Sequence, residues 1–338
     1  MRLQCLILPV LLFAVLFAVL FAGISQAHAQ TCANPPKANP LGARIAQAAL
    51  REYQEFNGHR INADGYLWKS GAVESETELL LDPETGQADA SRAGRFAWRR
   101  VWEYWLTLQR HAPGEAMGRK IVSVPGLLEN PRAAGQATQI RLRELFPRFR
   151  TDDAAADAAL QQAAVRAALN DSPWSGAFIS YLMNGAGMTA QQFRYSSAHW
   201  QYIQAAFEQP AGYAYRACDP RRTVPRVGDL LCHSRAGSAL KDFAQWRQAS
   251  GRLDFSAPSH CEVVIEVDTG AKKMELIGGN VLQSVTRRKL KLNAGNRLSE
   301  SYNPERFNKA RNKDCSADKT CEQPNLNMQY WGVILQLQ

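Results

Sequence analysis

Three residues of the chain have the types that acyl transfer requires. They are a serine at a helix start, a histidine on a strand and an amide side chain at the end of the next strand. The serine is Ser175, within Asp171-Ser172-Pro173-Trp174-Ser175-Gly176-Ala177-Phe178-Ile179. Asp171 or Ser172 can cap a helix, and Pro173 suits the first helical position because its missing N–H needs no partner there. Phe178, Ile179 and Leu182 follow at helical spacing and form a buried face. Ser175 is therefore expected in the first turn, where free backbone N–H groups and the helix dipole favour a nucleophile or an oxyanion. His260 opens a strand and Asn280 ends the next one. In such a set the histidine takes the serine's proton and the third residue orients the imidazole. The plain readings stand beside these. Ser175 can be a polar first-turn residue and Asn280 a turn residue, and spacing alone does not separate the two.

Further residues belong near the same cleft or to the scaffold. Trp174 would form part of a cleft wall. His199, on the helix after the serine motif, can reach the cleft or be a satisfied core or surface histidine. Asp229 reads as a turn residue or as part of the site. His233 has no evident partner.

The elements that position these residues are mostly legible. Asn39-Pro40 starts a helix and Gly58 stops it, with Leu41, Ile45, Ala49, Tyr53 and Phe56 on one face. His59 to Gly86 is turn-rich, and Glu74 and Glu76 there read as surface. Arg95 to His111 is an amphipathic helix carrying Trp98, Val101, Trp102 and Trp105, an aromatic stripe that reads as core. His111 only complements that helix's negative end. Pro113 to Gly135 reads as loop and Ile140 to Phe146 as a short helix ended by Pro147. An Ala-rich helix spans 153–170, and another starts near Ser196-Ser197. Short strands follow: Val227 to Cys232, His260 to Val267, Lys273 to Ile277, Val281 to Leu292 and Tyr330 to Leu337. A helix from Ala239 to Gln248 intervenes. Helices followed by a small, mostly antiparallel sheet make an α+β arrangement.

Residues 1–29 read as a cleaved signal peptide, with Arg2 at its start, an apolar run from Leu6 to Ile24 and Ala27-His28-Ala29 as the cleavage signal. An uncleaved anchor is the alternative; no later segment is apolar enough to span a membrane. The mature chain would be periplasmic or secreted. Six cysteines remain after cleavage, which fits disulfides in an oxidising compartment, and Cys315–Cys321 is the easiest pair. Cys261 neighbours His260 on one strand, so the two side chains point to opposite faces; it reads as core or disulfide, not nucleophile. No spacing suits a metal, and no cofactor is implied. The formal charge is +9, and residues 281–313 hold nine Lys/Arg against two Glu. That run is either a solvated basic face or an attraction to an anionic polymer of the cell wall or outer surface. Export and the lack of a matching motif argue against nucleic acid.

The motifs carry a resemblance. Trp174-Ser175-Gly176-Ala177-Phe178-Ile179 resembles the Trp-Cys-Ala-Ala-Phe-Val motif of the CHAP and NlpC/P60-like papain-fold amidases. Val227-Gly228-Asp229 resembles their Gly-Asp strand start, Ser259-His260-Cys261-Glu262-Val263-Val264 their Gly-His-Val-Gly-Ile-Val strand, and Gly278-Gly279-Asn280 their Glu-Gly-Asn. The order is kept over about residues 171–290. The mature chain is most similar to an uncharacterised secreted bacterial family, the domain of unknown function 2272, itself resembling that clan. The resemblance implies a papain-like core, cell-wall peptidase or amidase chemistry and a Cys-His-polar triad. The departure is Ser175 in place of cysteine. A thiol of pKa ~8.5 is readily held as thiolate by histidine. A serine needs concerted base catalysis and a good oxyanion site.

The combined expectation is a signal peptide (1–29), a helical N-terminal region (30–170) and a papain-like α+β core (171–338). The function expected is a cell-wall hydrolase with Ser175 as nucleophile, His260 as base and Asn280 as orienter, and with Trp174, His199 and Asp229 lining the substrate site. The alternatives are a silent module holding an anionic envelope polymer and a serine esterase or acyltransferase on the same fold.

Overall fold

The computed structural model describes residues 32, 39–76, 96–115, 121–124, 138–141, 150–170, 172–235, 240–252, 254–302, 304 and 325–338. The segment 1–29, Asp171 and the Cys315–Cys321 pair lie outside the described residues. The chain divides at Cys32, and the fold described here belongs to Ala33–Gln338.

Six helices and an eight-stranded sheet make a mixed α+β fold among the described residues. The first helix, α1 (Pro40–Phe56), begins where Asn39 accepts the Leu41 N–H at 2.9 Å, with proline at its start. It ends at Asn57, which takes the left-handed conformation. Next come β1 (His59–Ile61), β2 (Leu67–Lys69) and α2 (Ala97–His111). On α2, Trp98, Val101 and Trp105 of the expected stripe are buried, together with Tyr104 and Leu108, while Trp102 is only half-buried against the core. A two-stranded ladder of β3 (Ile121–Val124) and β4 (Thr138–Arg141) follows. Here the sequence reading fails. The loop expected after Pro113 contains a strand, and Ile140 and Arg141, expected in a helix, pair with Val122 and Ile121. Backbone pairing with the strand just before them overrides the weak local helical signal.

The remaining elements are α3 (Ala154–Asn170), α4 (Ser175–Gly185), α5 (His199–Glu208), β5 (Tyr215–Cys218), β6 (Leu230–Ser234), α6 (Phe243–Ser250), β7 (Ser259–Asp268), β8 (Lys273–Val281), β9 (Ser284–Lys291) and β10 (Tyr330–Leu337). The sheet order is β2-β1-β9-β8-β7-β6-β10-β5. All its ladders are antiparallel except β1–β9, which is parallel. Two strands of the sheet thus come from the stretch read as turn-rich, and β5 adds a third that the pattern did not show.

One face of the sheet carries Cys232, Cys261, Val263, Ile277, Val285, Val333 and Leu335. With the helices they form one apolar core. Cys232 and Cys261 are cross-strand partners and are joined by a disulfide. Cys261 is thereby in a bond, as one of its two expected readings has it. The core also corrects a surface assignment. Glu74 is buried and accepts the indole N–H of Trp174. A buried indole N–H gains from an acceptor, and the turn-rich segment supplies one. Burial pushes the Glu74 carboxyl up to about 7, against the pull of that N–H.

Candidate functional site

The serine motif forms its helix two residues later than its composition suggests. Pro173 precedes the helix, Trp174 is the capping residue without a side-chain cap bond, and Ser175 is the first helical residue. Trp174 is held in an aromatic box, with ring centroids 5.7 Å from Phe56 and 5.7 Å from Tyr104. The first bond of the helical ladder runs from Phe178 N–H to Trp174 C=O at 2.9 Å. The amides of Ser175, Gly176 and Ala177 therefore precede the ladder, which is where an anion gains most.

A second segment closes over that helix start. The Ser180 hydroxyl donates to Ser196 C=O at 3.0 Å and accepts the Ser196 N–H at 3.2 Å. One turn away, Gly176 lies so close to Ser197 that a Cβ there would stand 2.2 Å from the Ser197 carbonyl oxygen. Only glycine permits this approach. The two contacts fix residues 196–198 against α4, and α5 starts at the next residue. The result is a hydrogen bond between Ser175 Oγ and His199 Nε2 at 2.7 Å.

His199 is oriented from its other nitrogen, where Nδ1 bonds the Tyr202 hydroxyl. Tyr202 lies one turn further along α5, the spacing that places two residues on one helix face. Burial, together with the neighbouring His260, Arg235 and His233, holds His199 well below the usual imidazole range. Burial likewise raises the Tyr202 hydroxyl. The pair is neutral at physiological pH.

His260 stands beside this pair, its ring centroid 5.0 Å from that of His199. Its Nδ1 lies 3.2 Å from an Arg235 guanidinium nitrogen. A guanidinium only donates, so His260 Nδ1 accepts and the ring proton sits on Nε2. That Nε2 is 3.3 Å from Glu262 Oε1, in a poor line for a hydrogen bond, and neither atom has another partner among the described residues. Strand alternation puts His260 and Glu262 on the same face of β7. Room for the carboxylate comes from β8, where a Cβ on Gly278 would stand 2.6 Å from Glu262 Cγ. Glu262 Oε2 accepts the Arg288 Nε–H at 2.7 Å, and Arg288 also donates to Leu326 C=O at 2.7 Å. Burial, with Arg235 and Arg288 nearby, holds His260 well below its ordinary value. His233, opposite His260 in the β6–β7 ladder, completes a row of rings that ends on Trp331. Burial lowers His233 to about 3.

The structure thus brings Ser175, His199 and His260 together, and places the other expected site residues elsewhere or at the margin. Asn280 takes a positive φ of 56° near the end of β8, two residues beyond Gly278 toward the His260 end of β7. Its side chain makes no hydrogen bond among the described residues. Trp174 is wholly buried in its aromatic box and offers no surface to a cleft. Asp229 braces the start of β6. Its carboxylate accepts from Leu337 N–H at 2.9 Å and Arg226 N–H at 3.0 Å, and burial pushes it up to about 7. His111 does more than face a helix end, since it bonds Asn184 at 2.8 Å and stacks on Tyr195. Tyr202, Arg235, Glu262 and Arg288 were not anticipated in the site. Two of them had a usable signal: Tyr202 at i+3 from His199, and Glu262 at i+2 from His260.

No group of three or more His, Cys, Asp or Glu among the described residues is arranged to hold a metal ion. The site is shut in this conformation: Ser175 is 4% exposed and His199 3%. No helix among the described residues is long and apolar enough to cross a membrane.

No curated protein matches the chain, and no solved structure does. A family does match, over residues 92–337, which takes in α2 to β10 and every residue of the Ser175–His199–His260 cluster. The chain belongs to that family, DUF2272, described as an uncharacterized protein conserved in bacteria.

Proposed function

We propose that the protein is a serine-dependent hydrolase that cleaves an amide or ester bond of the bacterial envelope, with Ser175 as nucleophile and His199 as general base. The observation that carries this reading is the 2.7 Å bond from Ser175 Oγ to His199 Nε2 at the start of α4. For the base to act, the serine O–H donates to Nε2 and the Nδ1–H donates to the Tyr202 oxygen. Tyr202 then does what the third member of a triad does, fixing tautomer and ring orientation. Proton transfer to His199 accompanies attack on the acyl carbon. The oxyanion develops beside the amides of Ser175, Gly176 and Ala177. The imidazolium gives its proton to the leaving amine or alcohol, and water, activated by the same imidazole, releases the acyl group from Ser175. His260, whose Nδ1 faces Arg235, is not free to take a proton from Ser175 in this arrangement. Its place is beside the base.

The envelope setting is supported by the Cys232–Cys261 disulfide, which persists in oxidising compartments, by the leader-like residues 1–29, and by the motif resemblance to cell-wall amidases. Peptidoglycan is the substrate this setting favours. One observation favours a second reading, a silent module that only binds an envelope polymer: the hydroxyl is closed off from solvent.

A fluorophosphonate separates the two. An activated serine displaces fluoride and gains the phosphonyl group, which intact mass detects. One adduct on the folded, oxidised protein, lost in Ser175→Ala and in His199→Ala, is the expected result. Absence of an adduct on folded wild type, or an adduct that survives Ser175→Ala, would overturn the hydrolase reading.

A further inference from the structure

The far edge of the sheet carries a feature that the Ser175 chemistry does not use. Trp68, on the edge strand β2, is 55% exposed, and Tyr66, in the hairpin just before it, is 45% exposed. Trp98, Trp105, Trp174, Trp246 and Trp331 are all buried. A large aromatic left in water on an edge strand has given up the burial that its type ordinarily secures.

The surroundings of Trp68 are cationic. The Arg60 guanidinium carbon lies 5.4 Å from the Trp68 ring centroid. Arg60 and Arg287 are direct neighbours in the parallel β1–β9 ladder. Like charges side by side on neighbouring strands are unfavourable. Trp68, Arg60, Arg287, Lys289 and Ile61 together line a shallow cavity of about 80 Å³. Glu275 pairs with both Arg287 and Lys289, and Glu266 stands 3.8 Å from Arg287, so two carboxylates face three cations and one positive charge is left over.

We infer that this edge is a docking surface for an acidic glycan, whose sugar ring stacks on Trp68 while its carboxylates meet Arg60, Arg287 and Lys289. The pattern fits that chemistry on three counts. A flat aromatic face suits the apolar face of a pyranose ring. Guanidinium groups match carboxylates in a planar, two-bond geometry. A cavity this shallow at a sheet edge admits a chain in passing, not a small molecule engulfed. A single-stranded nucleic acid also stacks on aromatics among cations, but the Cys232–Cys261 disulfide favours an oxidising compartment, where glycans are the available polyanions. The inference rests on the envelope setting proposed above and not on catalysis by Ser175.

The test uses the full oxidised protein and three probes: hexagalacturonate, the neutral maltohexaose and (dT)10. Binding is read by calorimetry and by quenching of tryptophan fluorescence. Hexagalacturonate is expected to bind best. Trp68→Ala should weaken it about tenfold, the order of one aromatic contact. Lys289→Gln should weaken it less and reduce its salt dependence. Both side chains are substantially exposed, so the fold is expected to survive, and an unchanged melting curve checks this. Ser175→Ala should bind like wild type, so loss of catalysis and loss of docking are read separately. Equal binding by Trp68→Ala and wild type would overturn the inference. So would preference for (dT)10 or for maltohexaose.

Discussion

His199 and Tyr202 decide how Ser175 behaves. The imidazole is held below its usual range by burial first and by nearby His260, Arg235 and His233 next. A base with a lowered pKa stays neutral, and so competent, to lower pH. The acid limb of the fluorophosphonate reaction is therefore expected below pH 6.5, the ordinary imidazole value. A midpoint at or above 6.5 in the rate of adduct formation would show that His199 is not the base in this environment. Tyr202→Phe keeps the ring and removes the oxygen that meets Nδ1. A buried N–H then loses its acceptor, a cost of ~1–3 kcal/mol. The adduct should form about tenfold or more slowly, with the melting temperature only modestly lowered. An unchanged rate would remove Tyr202 from the positioning role. Ser175 and His260 were legible as residue types in motifs. That His199 and not His260 would meet the serine was not legible, because it depends on the closure of residues 196–198 onto α4 through Gly176 and Ser180.

At the level of elements, that closure is the feature most open to a single substitution. Gly176→Ala places a methyl 2.2 Å from a backbone oxygen, which no rotamer change relieves. Overpacking of this kind costs ~1–3 kcal/mol. Urea unfolding should show a loss in that range, and the Ser175 adduct should form more slowly because the His199 segment is pushed away. A variant as stable and as reactive as wild type would mean that the two segments are not in contact. The disulfide between β6 and β7 is a second device at this scale. It closes a loop with a sequence separation of 29, and in the chain-entropy account such a loop contributes ~3.6 kcal/mol. Replacing Cys232 and Cys261 together by Ala should lower the unfolding free energy by about that amount under oxidising conditions. Helices with strong periodicity or caps, α1 and α2 above all, were plain in the sequence, and so were the long strands β7 and β10. The three-residue strands β1 and β2 and the β3–β4 ladder were not. Runs of three or four residues carry too little period to show, and β1 is held in the main sheet by β9, far away in the chain.

Taken whole, the molecule buries an unusual amount of ionisable chemistry, and its stability should depend on pH in two opposed ways. His199, His233 and His260 all have lowered values, with burial the first cause in each. Below ~6.5 the unfolded chain binds protons that the folded chain refuses. Their contribution is therefore complete above that pH and is lost as pH falls toward the folded values, about 3 for His233. Asp229 and Glu74 act in the other direction. Both are raised to about 7 by burial, so the folded chain holds protons that the unfolded chain releases near pH 4. Their contribution is complete at low pH and falls away between ~4 and 7 as pH rises. The total curve is a partial cancellation, and the two sets are read by difference. The stability of His233→Gln relative to wild type should improve as pH falls from 6 to 4, at about 1 kcal/mol per unit. For Asp229→Asn the relative stability should change with the opposite sign, improving as pH rises from 4 to 7. Urea unfolding at each pH measures both. A flat difference for His233→Gln would mean that the imidazole takes up its proton as readily in the fold as in water. The row His199–His260–His233 would then be open to solvent, and the closed site around Ser175 would have to be redrawn as an open cleft.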